Sequence, residues 1–224
     1  MAITTTDTAL LRLLQLASPA LPVGGYAFSQ GLETALELGW VKDAASTRDW
    51  LRQQILHSLA RVDVPLLLRL HRAALGGDAD SFDYFNSYAL ACRETAELRL
   101  TDSAMGEALC RLLPEVGLPL PALGGDSSFT AVFAWAAAHW GIDENTAASG
   151  FLWAWLENQV AAATKLVPLG QSAAQRLLGE LMPALNEALA CGAALEDAGI
   201  GSSLPALALA SAWHETQYTR LFRS

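Results

Sequence analysis

Lysine is nearly absent from this chain: Lys42 and Lys165 are the two it has, against twelve arginines in 224 residues. Charge of either sign is thin, at 17% of residues, and the formal balance is −9. A protein that grips phosphate backbones needs a basic face, so this composition argues against nucleic acid as a principal partner. Cysteine is scarce as well. Cys92, Cys110 and Cys191 are odd in number, far apart and without a CxxC pair, so neither a disulfide framework nor a zinc site is expected, and they read as buried, reduced thiols. Long hydrophobic runs are missing. The longest uncharged stretches, such as residues 127–141, contain His, Ser or Gly and fall short of the roughly 20 residues that span a membrane. The Leu-rich start lacks a basic beginning and carries Arg12, unlike a secretory signal. No membrane association and a cytoplasmic location are expected. Nor does any run of alternating polar and apolar residues read as a strand.

What is present is apolar, punctuated helix. Hydrophobic residues make up 52% of the chain, more than a monomer of this length usually needs, which suggests surface reserved for partners. Leu10, Leu13, Leu14 and Ala17 share one helical face. Asp43 fits the N-cap of a helix carrying Trp50, Leu51, Ile55 and Leu59, and Pro65 the first turn of another that Gly76 and Gly77 end. A helix from about Asp80 carries Phe85, Tyr88, Ala89 and Cys92. Beyond it Arg93 and Glu97 are spaced as an i, i+4 pair. Residues 114–128 hold three prolines and three glycines and predict a connector. Phe129, Val132, Phe133, Ala136 and Trp140 mark an amphipathic helix. From Asp143 to about Val167 apolar residues fall on nearly every face, as in a central, buried helix. Pro168 and Gly170 stop it, and Pro183 is expected to kink or divide the next. The expectation is one all-α domain over residues 1–224, a bundle of roughly eight to ten helices with flexible N-terminal residues and a C-terminal docking tail.

Two segments depart from plain helix. SPALPVGGYAFSQGLE, from Ser18 to Glu33, concentrates two prolines, a Gly-Gly pair and two aromatics between helical patterns. Pro19 and Pro22 fix φ, while Gly24 and Gly25 open backbone angles closed to other residues, so the loop is shaped rather than slack. A helix is expected to start near Ser29. At the other end, an apolar helix runs into Tyr218, Arg220, Phe222 and Arg223, side-chain types that dominate interface hot spots. Lys165 stands on an otherwise apolar helix, where an ammonium calls for a carboxylate or carbonyl partner, for example Glu33, or for an escape to solvent.

Catalytic chemistry finds little support. The glycines between Gly24 and Gly31 are not followed by the Lys and Ser/Thr of a phosphate-cradling loop. His57, His71, His139 and His214 stand at no metal-ligand spacing, so no metal ligand and no cofactor-binding residue is assigned. Ala27 to Gly31 has the AxSxG form of a nucleophile elbow, and Ser29 with Asp197 and His214 would follow a hydrolase order. That elbow needs a strand before the serine and a parallel sheet around it. Ser29 reads instead as a helix cap.

LPVGGYAFSQGLE and HETQYTRLFRS, together with ACRETAELR (91–99) and KLVPLGQSAAQRLL (165–178), are four separated segments whose order and spacing resemble the urease accessory protein UreF family. The resemblance implies an all-α homodimer that is not an enzyme. It would bind a UreD-type (UreH-type) accessory protein, recruit a UreG-type GTPase and dock on apo-urease to promote nickel insertion, with nickel and GTP handled by the partners. Carried over residue by residue, it places partner contacts on Tyr26, Gln30, Glu33, Lys165, Tyr218, Arg220 and Arg223, with Pro22, Gly24 and Gly25 shaping the loop. A helical scaffold unrelated to urease is the alternative, and a serine hydrolase using Ser29 a remote third.

Overall fold

The computed structural model describes residues 6–224. The expected flexibility of the first residues lies largely outside that range. Ten α-helices follow in chain order: α1 (Asp7–Leu16), α2 (Leu32–Glu37), α3 (Ala44–Gln54), α4 (Asp63–Gly76), α5 (Ala79–Ala91), α6 (Ala96–Leu112), α7 (Phe129–His139), α8 (Glu144–Leu166), α9 (Gln171–Ala194) and α10 (Pro205–His214). A π-helical turn, Ile55–Leu59, extends α3, and no strand occurs among the described residues.

Local chemistry accounts for many of the helix starts. Asp43 accepts from the Ser46 amide while Ser46 Oγ accepts from the Asp43 amide, a capping box that opens α3. The side chains of Asp78, Thr95 and Asp143 accept from the Ser81, Leu98 and Thr146 amides and cap α5, α6 and α8, each contact worth about 1 kcal/mol. At the other end of α4, Gly77 takes the left-handed conformation, which removes the Cβ penalty any other residue would meet there.

The core forms where α4 crosses α7, with α5, α6, α8 and α9 packed around the pair. Val64, Leu66, Leu67 and Leu70 of α4 are fully buried, as are Ala131, Val132, Phe133, Ala134, Ala136 and Ala137 of α7. Leucines on one helix facing alanines on the other allow close approach, and the Phe133 and Phe151 rings, 5.3 Å apart and edge-on, tie α7 to α8. The expected amphipathic character of α7 is corrected here: the helix sits between α4 and α6 and is buried on nearly every side.

Other sequence expectations are corrected too. Helix α9 is not divided at Pro183; that ring lies on the solvent face, where a carbonyl left without its helical donor can be hydrated. Arg93 and Glu97 do not pair, since Arg93 lies in the turn between α5 and α6 and not on a helix with Glu97. Its guanidinium instead donates to Asp63 at 2.7 Å and Asp102 at 3.0 Å. None of the three cysteines is fully buried. Cys92 and Cys110 are half-buried and Cys191 is exposed, all free, with burial pushing the first two thiols above their ordinary pKa.

Candidate functional site

The loop from Ser18 to Glu33 and the chain's last ten residues are one structure. Gly24 adopts a left-handed conformation that starts a short 3-10 turn over Gly25–Ala27. Gly25 packs so tightly that a Cβ there would meet Asn158 at 3.0 Å and Met105 at 3.3 Å. The helix expected from Ser29 begins at Leu32, because Gln30 (φ 50°) and Gly31 (φ 80°) are both left-handed. Just before them, two consecutive amides point to one acceptor. Ser29 N–H and Gln30 N–H both donate to the Ser224 carbonyl oxygen, at 2.5 and 3.2 Å, the arrangement of a backbone nest.

Around that anchor the tail lies back on the bundle. Arg223 N–H donates to the Ala27 carbonyl at 2.8 Å, and Thr101 and Ser224 share a hydroxyl hydrogen bond. Phe222 is buried in a small apolar cluster with Leu32, Ala35, Val41, Ala162, Ala163 and Val167. The Lys165 ammonium rests 5.4 Å from the centre of the Phe222 ring, a cation–π contact from an exposed side chain. The sequence-expected docking tail is therefore docked on its own chain.

Glu33 is the hub of this attachment. Its carboxylate accepts from Leu221 N–H at 2.6 Å and Phe222 N–H at 2.9 Å, and it faces His214 Nε2 at 3.1 Å. On the other side of the imidazole, His214 Nδ1 lies 2.9 and 3.1 Å from the two carboxylate oxygens of Glu97. Arg220 donates to Glu97 at 3.2 Å. His214 is completely buried and both carboxylates nearly so. The cluster is closed by α2, the first turn of α6, the last residue of α10 and the tail.

The seven residues expected to contact partners thus divide into two groups. Gln30, Glu33, Lys165, Arg220 and Arg223 are brought together around the tail, with Gln30 Oε1 also accepting from Trp155 Nε1 at 2.9 Å. Tyr26 and Tyr218 project to solvent, Tyr218 fully exposed. Glu33 is buried and engaged with the tail amides, and its expected pairing with Lys165 gives way to His214. The pairing of His214 with Glu97 was missed; the signal available was a His and two Glu inside three of the four resemblance segments. The hydrolase constellation is not assembled: Ser29 Oγ accepts from the Glu33 amide, Asp197 pairs with Arg69, and His214 faces two glutamates. Among the described residues no group of three His, Cys, Asp or Glu is arranged to hold a metal ion.

Exposed aromatic and aliphatic surface adjoins the tail. Trp40 packs between Trp50 and Trp213 at ring separations of 6.3 and 6.0 Å, and Leu38, Trp40, Leu209, Trp213 and Leu221 are all exposed. Behind the loop a cavity of about 100 Å³ is lined by Gln30, Gln54, Arg93, Asp102, Trp155 and Asn158 among others.

Comparison with known proteins bears on what these surfaces serve. The family model UreF matches residues 41–182. The urease accessory protein UreF of Marinomonas sp. (strain MWYL1) is 54% identical over 99% of this chain and 97% of its own length. The proteins of the same name from Alkalilimnicola ehrlichii and Pseudomonas entomophila are 51% and 49% identical, over 95% and 98% of this chain and 95% and 99% of theirs. The loop and the tail lie outside the family-model match, and the alignment with the Marinomonas protein, over 99% of this chain, takes in the loop and most of the tail.

Proposed function

Because the chain belongs to the UreF family of urease accessory proteins, we propose that it bridges a UreD-type (UreH-type) accessory protein and a UreG-type GTPase on apo-urease, as a homodimer in the cytoplasm, and so promotes GTP-dependent nickel insertion. In this reading the chain supplies geometry. The GTPase handles the nucleotide, nickel is the cargo, and this chain performs no catalysis of its own.

The observation that carries the proposal is the tail closing over the loop. That closure puts Tyr26, Lys165, Tyr218 and Arg223 at the surface of one unit, beside exposed Trp40 and Trp213. Aromatic and arginine side chains in a partly apolar surround are the composition of a protein-binding surface. No helix among the described residues is long and apolar enough to cross a membrane.

Co-purification with the UreD-type and UreG-type proteins of the same organism, read by size-exclusion chromatography with light scattering, tests the proposal. A defined complex larger than the chain's own oligomer is expected, and Lys165→Ala and Tyr218→Ala should each weaken it without changing thermal stability. Failure to associate with both well-folded partners would overturn the bridging role.

A further inference from the structure

We propose that His214 is a proton-operated latch that holds the last ten residues against the bundle. The inference concerns this chain alone and does not depend on the partner reading above.

A neutral imidazole carries one N–H, and an imidazolium carries two. Both ring nitrogens of His214 sit within hydrogen-bond distance of carboxylate oxygens, Nε2 at 3.1 Å from Glu33 and Nδ1 at 2.9 Å from Glu97. Each contact needs a proton between nitrogen and oxygen, and the two together need one more than a neutral imidazole between two carboxylates supplies, so the docked arrangement is built around the protonated cluster. The groups facing His214 are Glu33 from α2, Glu97 from α6 and, beyond Glu97, Arg220 from the tail. At the far end of α10, Glu94 meets the Leu204 amide. Two anions and two cations balance in the protonated state. Closing α10 as its last residue, His214 also stands where the helix's partial negative charge favours a cation.

Removing the proton turns a lone pair onto an anionic oxygen and leaves one uncompensated negative charge in a site without water access, which is costly. The tail hangs from the same two carboxylates: Leu221 N–H and Phe222 N–H on Glu33, and the Arg220 guanidinium on Glu97. Movement of Glu33 away from the deprotonated ring breaks the two amide contacts, and movement of Glu97 breaks the Arg220 contact. The sign is therefore fixed: the latch is closed at the acid side of the His214 titration and opens as pH rises through it. Opening would free Phe222 from its apolar cluster and withdraw Arg223 and Ser224 from the loop.

The test is a titration of the full chain from about pH 5 to about pH 9, which spans the range in which histidines exchange their charge, with ¹⁵N in histidine and phenylalanine. At the acid end both His214 ring nitrogens should show bonded hydrogen, and the Phe222 amide should move with the midpoint at which the ring loses a proton. A Phe222 amide that stays still while His214 titrates overturns the proposal. So does a ring that is singly protonated at the acid end, or one that keeps both protons to the alkaline limit. Glu97→Gln removes one of the two anions and should lower the shared midpoint; an unchanged midpoint counts against the latch. His214→Gln should leave the tail released at both pH extremes, and if that variant does not fold, Glu97→Gln carries the test.

Discussion

Replacing Arg93 with methionine should be among the most damaging single changes in this protein. The side chain is about as long as the arginine stem and fits the same apolar path, so the change removes charge and hydrogen bonds with little loss of packing. Arg93 donates to Asp63 at 2.7 Å and to Asp102 at 3.0 Å, and the side chains of those aspartates are 3% and 7% exposed. Burial works against the guanidinium's charge, yet Asp102 and Asp63 more than reverse this and hold its pKa above the ordinary arginine value. Without it, two carboxylates remain in a poorly hydrated interior, with Thr130 Oγ1 donating to one and Ser128 Oγ and the Phe129 amide to the other. Stripping one partner from a buried ion pair costs about 3–5 kcal/mol. For a chain of this size that corresponds to roughly 2–4 °C per kcal/mol, a fall in Tm of about 6–20 °C. Urea unfolding followed by circular dichroism would measure the loss. Restoring neutrality with Asp63→Asn and Asp102→Asn in the same chain should recover part of it. A loss under about 1 kcal/mol for Arg93→Met, or no recovery in the triple variant, would refute the reasoning that uncompensated charge is the cause.

Gly106→Ala should destabilise by about 3 kcal/mol, since its Cβ would collide with the Ser127 carbonyl and the backbone on either side of it, which cannot rotate away; urea midpoints compared with wild type check this. His71 is buried with Nε2 donating to the Ile142 carbonyl at 2.8 Å, and its Nδ1 has no partner among the described residues. Burial holds its pKa below the ordinary value, so it contributes stability above about pH 6.5, lost as pH falls through the lower folded value. Between about pH 6.5 and that lower value wild type should lose stability relative to His71→Gln, and parallel curves across that window would speak against it. Phe222→Ala removes the one tail residue of the small apolar cluster, a loss of about 3 kcal/mol confined to the tail. The Leu221 and Phe222 amides should lose hydrogen-exchange protection while Tm moves by less than about 3 °C.

Much of the fold was readable because its signals are local. Asp43 caps the helix expected of it, and Gly77 ends α4. Helix α8 occupies Glu144–Leu166 within a residue of the pattern that announced it. All of these depend on neighbours three or four positions away. The misreadings share a different origin. Pro183 sits mid-helix because of which side faces water, and α7 is buried all round because α4 and α6 cover it; periodicity reports one face of a helix and not how many neighbours will arrive. The candidate site was readable only as two unusual segments. That Glu33 and Glu97 meet His214 across 181 and 117 positions is written in no spacing, and Arg93 illustrates the converse, since its i, i+4 relation to Glu97 was legible and is overridden by a turn.

The two buried charge clusters differ in what they fasten, and that difference bears on function. Asp63, Arg93 and Asp102 join α4, the α5–α6 turn and α6, elements already fused by the large core, so their loss is felt by the whole domain. Glu33, His214 and Glu97 join α2, α6 and α10 to a tail whose apolar attachment is Phe222 in a cluster of seven buried residues. Local opening free energies follow the buried apolar contact a segment owns, so the tail belongs to the low end of that range and the bundle to the high end. A surface made of Tyr26, Lys165, Tyr218 and Arg223 is consequently conditional: it has its present shape only while the tail is down. Partners that read this surface would draw on the docking free energy of residues 215–224, and anything that alters the charge between Glu33 and Glu97 alters their affinity without touching a contact residue.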